Sequence, residues 1–426
     1  MHPALLLAFP RPGSGPAQRR AIPRGGLVLG LGEAVFDGPF GDPSMSSRHA
    51  EISVEGGRAT LRDLGSSAST RVNGVAVQGS CLLEEGDVVR LGDTVLVFTT
   101  TRCAASTDVE PPPGHPGLTG VTPSIEAVRR SIDAVAPHPR TVVVTGETGT
   151  GKEIVAGMLH QRSGRSGPFL AVNCGGFSEG LLASELFGHV RGAFTGAVSE
   201  QLGLFRAAKG GTLLLDEASD IPLALQPILL RVLETREVRP VGSSRDVAVD
   251  VRVVAASNRE LVGLVQQGLF RADLYARLAQ WVIRLPPLRD RRQDIPALSR
   301  ALVARIDAGG RPMTPDLEEA LLLHPWPLNV RGLSNVLAIA TIASPAGEPL
   351  GLVPEVLAAL DDNRLEQGAA PVLAPQLDLD RAGLESLLVR NAGRVAEMAR
   401  QANVSRPKMY RLLWAAGLDP AGYRSA

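Results

Sequence analysis

A buried-strand run, Val142-Val143-Val144-Thr145, leads straight into Gly146-Glu147-Thr148-Gly149-Thr150-Gly151-Lys152, and a helical stretch begins at Glu153. Glycines at such spacing let backbone N–H groups curl around phosphate oxygens, and the helix N-terminus adds a favourable dipole. Lys152 supplies a point charge for the β- and γ-phosphates. Strand, loop and helix in this order predict an α/β fold that binds a nucleotide at a strand end. The general motif closes on Ser or Thr, which would touch Mg²⁺; Glu153 stands there instead.

Two further strand ends support that reading. Thr212 to Leu215, preceded by Gly210-Gly211, runs into Asp216-Glu217. An acidic pair beside a phosphate loop suits metal-assisted hydrolysis, with Asp216 holding Mg²⁺ through water and Glu217 polarising the attacking water. Val251 to Ala256 is another buried run, ending in Ser257-Asn258, where a polar side chain can sense the γ-phosphate.

The 426 residues are too many for one core and predict two to four domains. Net charge is zero, so any surface for nucleic acid must be local. Cys81, Cys103 and Cys174 are too scattered for a disulfide framework or metal site and read as buried free thiols. The apolar run Ala4 to Phe9 is too short for a membrane span or signal core, and the expected location is cytoplasmic. A Pro-rich break, Ser106 to Gly117, and a looser one, about Asp361 to Gln376, divide the chain. Short β-branched runs before the first break (Ala50 to Val54, Val75 to Val77, Val88 to Val97) predict a small all-β sandwich. The middle alternates strand and helix, and the last part is helical.

The middle segment also carries Glu185-Leu186-Phe187-Gly188-His189 and Gly192-Ala193-Phe194-Thr195-Gly196-Ala197. Phe270-Arg271-Ala272-Asp273-Leu274, Leu285-Pro286-Pro287-Leu288-Arg289 and Trp326-Pro327 follow. In this unbroken order they resemble the AAA+ domain of sigma-54-dependent enhancer-binding proteins over about residues 119–345, with a helical lid from about 287. The resemblance implies an ATPase that remodels sigma-54 RNA polymerase, the Gly192–Ala197 loop presenting Phe194 and Thr195 to the sigma factor. It further implies that Asn173 is a switch holding Glu217, and that Ser257 and Asn258 are the first sensor. Arg271 and Arg277 would be fingers reaching a neighbour's ATP in a ring, expected to be a hexamer, with Arg331 as second sensor. Leu328 and Gly332 depart from the family's Gly and Glu.

From Arg381 onward eight Arg or Lys face three acids, a local net of +5. Residues 393–400 read as a short helix with Val395, Met398 and Ala399 on one face, followed by a turn. Ser405 can cap a second helix with Pro407 in its first turn. Met409, Leu412 and Leu413 would pack inward, leaving Ser405, Arg406, Lys408, Tyr410 and Arg411 for double-stranded DNA. This resembles a Fis-type helix-turn-helix.

Leu29-Gly30, Ser46-Ser47-Arg48-His49, Asp63-Leu64-Gly65-Ser66 and Val72-Asn73-Gly74 resemble a forkhead-associated (FHA) domain, which binds phosphothreonine peptides. On that resemblance Ser46, Arg48 and Ser67 would meet the phosphopeptide of a partner protein or kinase, with His49 bracing the loop. Leu31, Ala68 and Ser69 replace the family's Arg, Asn and Gly. The expected organisation is an FHA-like sandwich over 1–105, a linker over 106–118, the AAA+ domain over 119–345, a linker over 346–376 and a DNA-binding domain over 377–426. Three functional readings follow: an ATP-driven activator, a DNA-binding repressor unable to remodel, and a phosphopeptide adaptor with a vestigial ATPase.

Overall fold

The computed structural model describes residues 3–8, 19–31, 41–100, 115, 117–194, 196–307, 310–365, 381–391, 395, 398, 402, 409, 413 and 416–418. They divide into two units: residues 1–110, 119–123 and 288–426, and residues 111–118 and 124–287.

The first unit begins with ten short strands: β1 (Ala4–Leu7), β2 (Arg19–Ala21), β3 (Leu27–Leu29), β4 (Ala50–Glu55), β5 (Arg58–Asp63), β6 (Thr70–Val72), β7 (Val75–Ala76), β8 (Ser80–Leu83), β9 (Val88–Leu91) and β10 (Thr94–Thr99). They form two antiparallel sheets, ordered β2-β1-β10-β9-β6-β7 and β3-β4-β5-β8. The expected run Val88 to Val97 is two strands, reversing at Gly92 (φ +60°), where a Cβ would strike the Ser44 hydroxyl. All six residues of β10 are buried, because both of its faces are covered. Leu96 and Phe98 point between the sheets with Leu5, Ile52 and Leu61, while Val95 and Val97 point the other way and join a helical core. A period-two strand thus reads as continuously apolar once each face has its own core.

The second unit holds α1 (Pro123–Val135), β11 (Val142–Thr145), α2 (Lys152–Gln161), β12 (Phe169–Asn173), α3 (Glu179–Phe187), β13 (Gly188–His189), β14 (Gln201–Leu202), α4 (Leu204–Ala207), β15 (Thr212–Asp216), α5 (Gln226–Thr235), β16 (Glu237–Val238), β17 (Val247–Ala248), β18 (Arg252–Ser257), α6 (Leu261–Gln266), α7 (Ala272–Leu278) and β19 (Trp281–Arg284). Its main sheet is five-stranded and parallel, in the order β12-β15-β18-β11-β19. Alternate residues feed two cores: Val143, Leu213, Leu215, Val253 and Ala255 on one face, Val142, Val144, Leu214, Val254 and Ala256 on the other. Burial on both faces explains why these strands are unbroken hydrophobic runs.

The remaining helices, α8 (Ile295–Ile306), α9 (Pro315–Leu323), α10 (Asn329–Ala343), α11 (Pro354–Leu365) and α12 (Arg381–Arg390), belong to the first unit. α11 runs to Leu365, so the looser break expected from Asp361 starts later. Leu317, Leu321, Trp326, Leu333 and Leu337 join Leu6, Val88, Val95 and Val97 of the sandwich in one core. Polar ties border it: Arg90 Nη1 reaches Glu319 Oε2 at 3.0 Å and Asp316 Oδ1 at 2.5 Å, and Gln293 Nε2 donates to Glu85 Oε1 at 2.9 Å. Trp326 (φ +49°), ahead of α10, and Asn329 (φ +52°), its first residue, are left-handed, whereas Leu328 between them has φ −93°. Replacing the family's glycine by Leu328 therefore strains nothing. Val395, Met398, Met409 and Leu413 are buried in one cluster with Leu384, Leu387 and Leu388, the inward face expected of the C-terminal helices; Leu412 lies outside the described residues. Among the described residues, no helix is long and apolar enough to cross a membrane.

Trp326 is fully buried, and its Nε1 donates to the Leu321 carbonyl at 2.8 Å. Trp326→Ala is expected to lower the stability of this unit by about 3–5 kcal/mol. Denaturant unfolding followed by circular dichroism checks this, and a loss below about 1 kcal/mol would mean that this core is not tightly packed.

Candidate functional site: a phosphate loop at the carboxyl edge of a parallel sheet

Parallel pairing brings the sequence-predicted groups to one edge. Asn173 ends β12 opposite Asp216 at the end of β15, and Thr145, the last residue of β11, lies opposite Ser257 of β18. The loop Gly146–Gly151 leaves β11 at this edge and enters α2 at Lys152. Gly146, Gly149 and Gly151 take φ of +156°, +78° and +104°. A Cβ on Gly146 would also lie 3.0 Å from the Leu285 carbonyl oxygen and from Thr150 Oγ1, so this turn demands glycine. Thr150 Oγ1 donates to the Glu147 carbonyl at 2.8 Å, and Lys152 Nζ donates to the Gly146 and Glu147 carbonyls at 2.8 and 3.1 Å. The ammonium is thereby held inside the curve of the loop. Glu153 is exposed on the first turn of α2.

Glu217 sits just past the strand end in a left-handed conformation (φ +52°, ψ +44°), uncommon for a residue with a Cβ. Its N–H donates to Asp216 Oδ1 at 3.0 Å. Asn173 Oδ1 accepts from the Gly175 N–H at 2.9 Å, leaving its NH₂ donors for another group. Sequence reasoning missed two participants. A Cβ at Gly175 would lie 2.8 Å from Glu217 Oε2 and 2.9 Å from Asp220 Oδ2, so both carboxylates converge over this glycine. The sequence signal was Gly175 two residues after Asn173, and an acid three residues after Glu217.

Ser257 is fully buried; its hydroxyl donates to the Arg259 carbonyl at 2.6 Å and accepts from the Arg259 N–H at 3.1 Å. Asn258 is the exposed polar side chain at this strand end. Arg271, at the N-terminus of α7, pairs with Asp273 through two bonds of 2.7 and 3.1 Å, both side chains being exposed. Arg277, at the other end of α7, donates to the Leu233 carbonyl at 3.0 Å. Arg331 is exposed on the first turn of α10, in the other unit.

The Gly192–Ala197 segment lies between β13 and β14. Gly192 N–H donates to the Ala197 carbonyl at 2.9 Å, closing the loop, and Phe194 is 46% exposed with its ring edge-on to His189 at 5.0 Å. The β16–β17 hairpin braces it: a Cβ on Gly242 would lie 2.8 Å from that of Ala193. Thr195 lies outside the described residues, as do Ser405, Arg406, Lys408, Tyr410 and Arg411.

In the sandwich, Ser46 Oγ accepts from the Ser67 N–H at 3.0 Å and lies 3.2 Å from Ser67 Oγ, joining two loops. Arg48 is exposed beside them. His49 is fully buried, its Nδ1 accepting from the Ser46 N–H at 3.2 Å, and burial lowers its pKa against the pull of Asp63 and Asp42. It braces the loop as a neutral ring.

These arrangements define a AAA+ ATPase domain with a helical lid and an FHA-type sandwich. Family models agree: FHA domain over residues 31–92, Sigma-54 interaction domain over 118–284, AAA+ ATPase lid domain over 289–358. The transcriptional regulatory protein ZraR of Klebsiella oxytoca is 39% identical over 320 residues, covering 72% of this chain and 70% of that protein. The putative uric acid sigma-54-dependent transcriptional regulator UacR of Escherichia coli K12 is 41% identical over 290 residues, or 65% of this chain, which spans about half (49%) of its length. The crystal structure of NtrX from Brucella abortus in complex with ATP is similar at 31% identity and a TM-score of 0.52, covering 72% of this chain and 70% of that one. The chain belongs to the sigma-54-dependent transcriptional activator family.

Cys174 follows Asn173 and is 1% exposed; burial, reinforced by Asp216, Asp220 and Glu217, pushes its thiol up to about 12. Cys81 is only half-buried, unlike the buried thiol expected. At pH 8 Cys174 is held as the thiol, whereas the thiolate is the reactive form. Native protein is therefore expected to take iodoacetamide at Cys81 and not at Cys174, which reacts only after unfolding. Peptide mass spectrometry reads this, and equal native labelling would refute the carboxylate-lined environment.

Proposed function

We propose that the protein is an ATP-driven transcription activator that binds upstream DNA and converts closed promoter complexes of sigma-54 RNA polymerase into open ones. The observation that carries this reading is the pairing of a complete phosphate loop and Asp216-Glu217 edge with an exposed Phe194 on a closed loop. A half-exposed aromatic ring on a short glycine-flanked loop suits a surface that grips another protein.

Lys152 and the loop amides hold the nucleotide phosphates. Asp216 has one carboxylate oxygen engaged by Glu217 N–H, which fits an Mg²⁺ site completed by water and phosphate oxygens. When bound, the ion neutralises phosphate charge. Glu217 orients the attacking water, and Asn173 presents NH₂ donors that can hold that carboxylate back. Asn258 senses the γ-phosphate beside Ser257, and Arg331 reports on the nucleotide from the lid.

Arg277 precedes β19 and its carbonyl accepts from Thr141 Oγ1 at 2.7 Å, which places it at the amino end of β11. The phosphate loop leaves the opposite end, about 13 Å away at 3.3 Å per residue. Arg277 therefore serves a nucleotide held by another copy, and that head-to-tail relation closes into a ring. A hexamer, with Arg271 as second finger, is the family's arrangement. Residues 377–426 form a Fis-type DNA-binding unit with Ser405, Arg406, Lys408, Tyr410 and Arg411 on DNA. Ser46, Arg48 and Ser67 receive a phosphothreonine segment of a partner, and the protein works in the cytoplasm.

Glu217→Gln is expected to bind ATP normally and to lose hydrolysis by at least about 100-fold; normal turnover would remove Glu217 from its role. The functional test is open-complex formation on a sigma-54 promoter with ATP and an upstream site. Thr195→Ala should keep ATPase activity and lose promoter opening, and a Thr195→Ala protein that still opens promoters would exclude the loop as the gripping element.

A further inference from the structure

At the amino edge of the five-stranded sheet lies a cleft of about 360 Å³ whose lining includes Arg140, Arg236, Arg252, Arg277 and His138, and no carboxylate among the described residues. Four guanidinium groups around one cleft repel one another unless an anion joins them. One of the four is committed to the fold, and a second, Arg277, is held by one edge of its guanidinium. Arg252 is 3% exposed and donates to the carbonyls of Val135, Ala136 and Arg140 at 3.1, 2.7 and 3.2 Å. These acceptors close α1 and the segment after it, so Arg252 fixes the stretch that presents His138 and Arg140. Burial, with the charge of Arg165 nearby, lowers the Arg252 pKa to about 10. Arg277 is tied to the Leu233 carbonyl.

Arg140 and Arg236 are different. Both are exposed, and neither has a hydrogen bond or ion pair from its side chain to any described residue. Their backbones are nonetheless fixed. The Arg140 carbonyl is held by Arg252. Arg236 closes α5 in a left-handed conformation (φ +57°), its N–H donating to Val232 and its carbonyl accepting from Val249. The Asp250 carboxylate is taken by Arg165 at 2.7 Å.

The opposite edge of the sheet carries the complementary charge: Asp216, Glu217 and Asp220, with the latter two carboxylates converging over Gly175, beside the phosphate loop. Asp216, Glu217 and Asp220 thus lie at the carboxyl edge and the arginines of the cleft at the amino edge.

We infer that Arg140 and Arg236, together with Arg277, form an anion seat that receives the nucleotide phosphates and acidic sheet edge of the next copy of this chain. This deepens the ring reading above and rests on it. Arg140 and Arg236 are assembly and phosphate contacts, and Arg252 is a positioning residue beneath them.

The test uses the full chain with Arg140→Gln and Arg236→Gln combined, and reads ATP hydrolysis against protein concentration. Binding of a fluorescent ATP analogue to dilute protein should change less than twofold, while the concentration giving half-maximal hydrolysis should rise at least tenfold. At a concentration where the double variant is inactive, mixing it with Glu217→Gln should restore hydrolysis, because the Glu217→Gln copy still offers its arginines to its neighbour. A merely structural role for the arginines could not be rescued in this way. Arg277→Ala separates the two levels. If Arg277→Ala hydrolyses ATP normally, the ring reading falls and this inference with it. If Arg277→Ala is inactive but the double variant keeps wild-type concentration dependence, the seat is refuted and the ring stands.

Discussion

The parallel pairing of β11 with β18 on one side and β19 on the other is the constraint from which the rest follows. Because the strands share a direction, each functional turn leaves the sheet at the same edge. The phosphate loop, the Asp216-Glu217 turn, Asn173 and Ser257-Asn258 come from four separate stretches of chain, yet strand register alone brings them together. The same pairing sends the end of α7 to the opposite edge, so Arg277 and the phosphate loop of one chain are held apart by the length of a strand.

Charge follows this geometry. A chain with no net charge gathers Asp216, Glu217 and Asp220 at one sheet edge and the arginines of the cleft at the other. Burial sharpens both: it drives the Cys174 thiol up beside the carboxylates and the Arg252 guanidinium down beside its neighbouring cation. Zero net charge therefore says little about local fields. Left-handed non-glycine residues stand at both edges, Glu217 just past the end of β15 and Arg236 at the end of α5.

The sandwich shows how a second packing partner alters what a strand must be. In β10, Leu96 and Phe98 serve the inter-sheet core, while Val95 and Val97 serve the helical core with Trp326 and Leu337. That double duty joins the FHA-type domain to the lid helices through apolar contact and the Arg90 ion pairs with Asp316 and Glu319. The FHA-type domain and the lid accordingly form part of one unit.

Much of this was legible in residue order. The strand run before Gly146, the glycine spacing, Lys152 and Asp216-Glu217 specify a nucleotide site because backbone donors and a cation need those residue types at that spacing. The helical face of Val395, Met398, Met409 and Leu413 was likewise readable from periodicity. Other features depend on atoms brought together from distant segments, and local pattern carries no trace of them. The run Val88 to Val97 did not disclose its reversal or its second core. Gly175 did not announce that two carboxylates would meet above it, nor did Arg140 and Arg236 announce a shared cleft. The sequence by itself determined which chemical groups the chain possesses and which local turns they occupy, since those follow from backbone dihedrals and short-range hydrogen bonds. Only the tertiary structure decided which of them face one another, because strand order and register, set by the burial of both sheet faces, are properties of the whole domain.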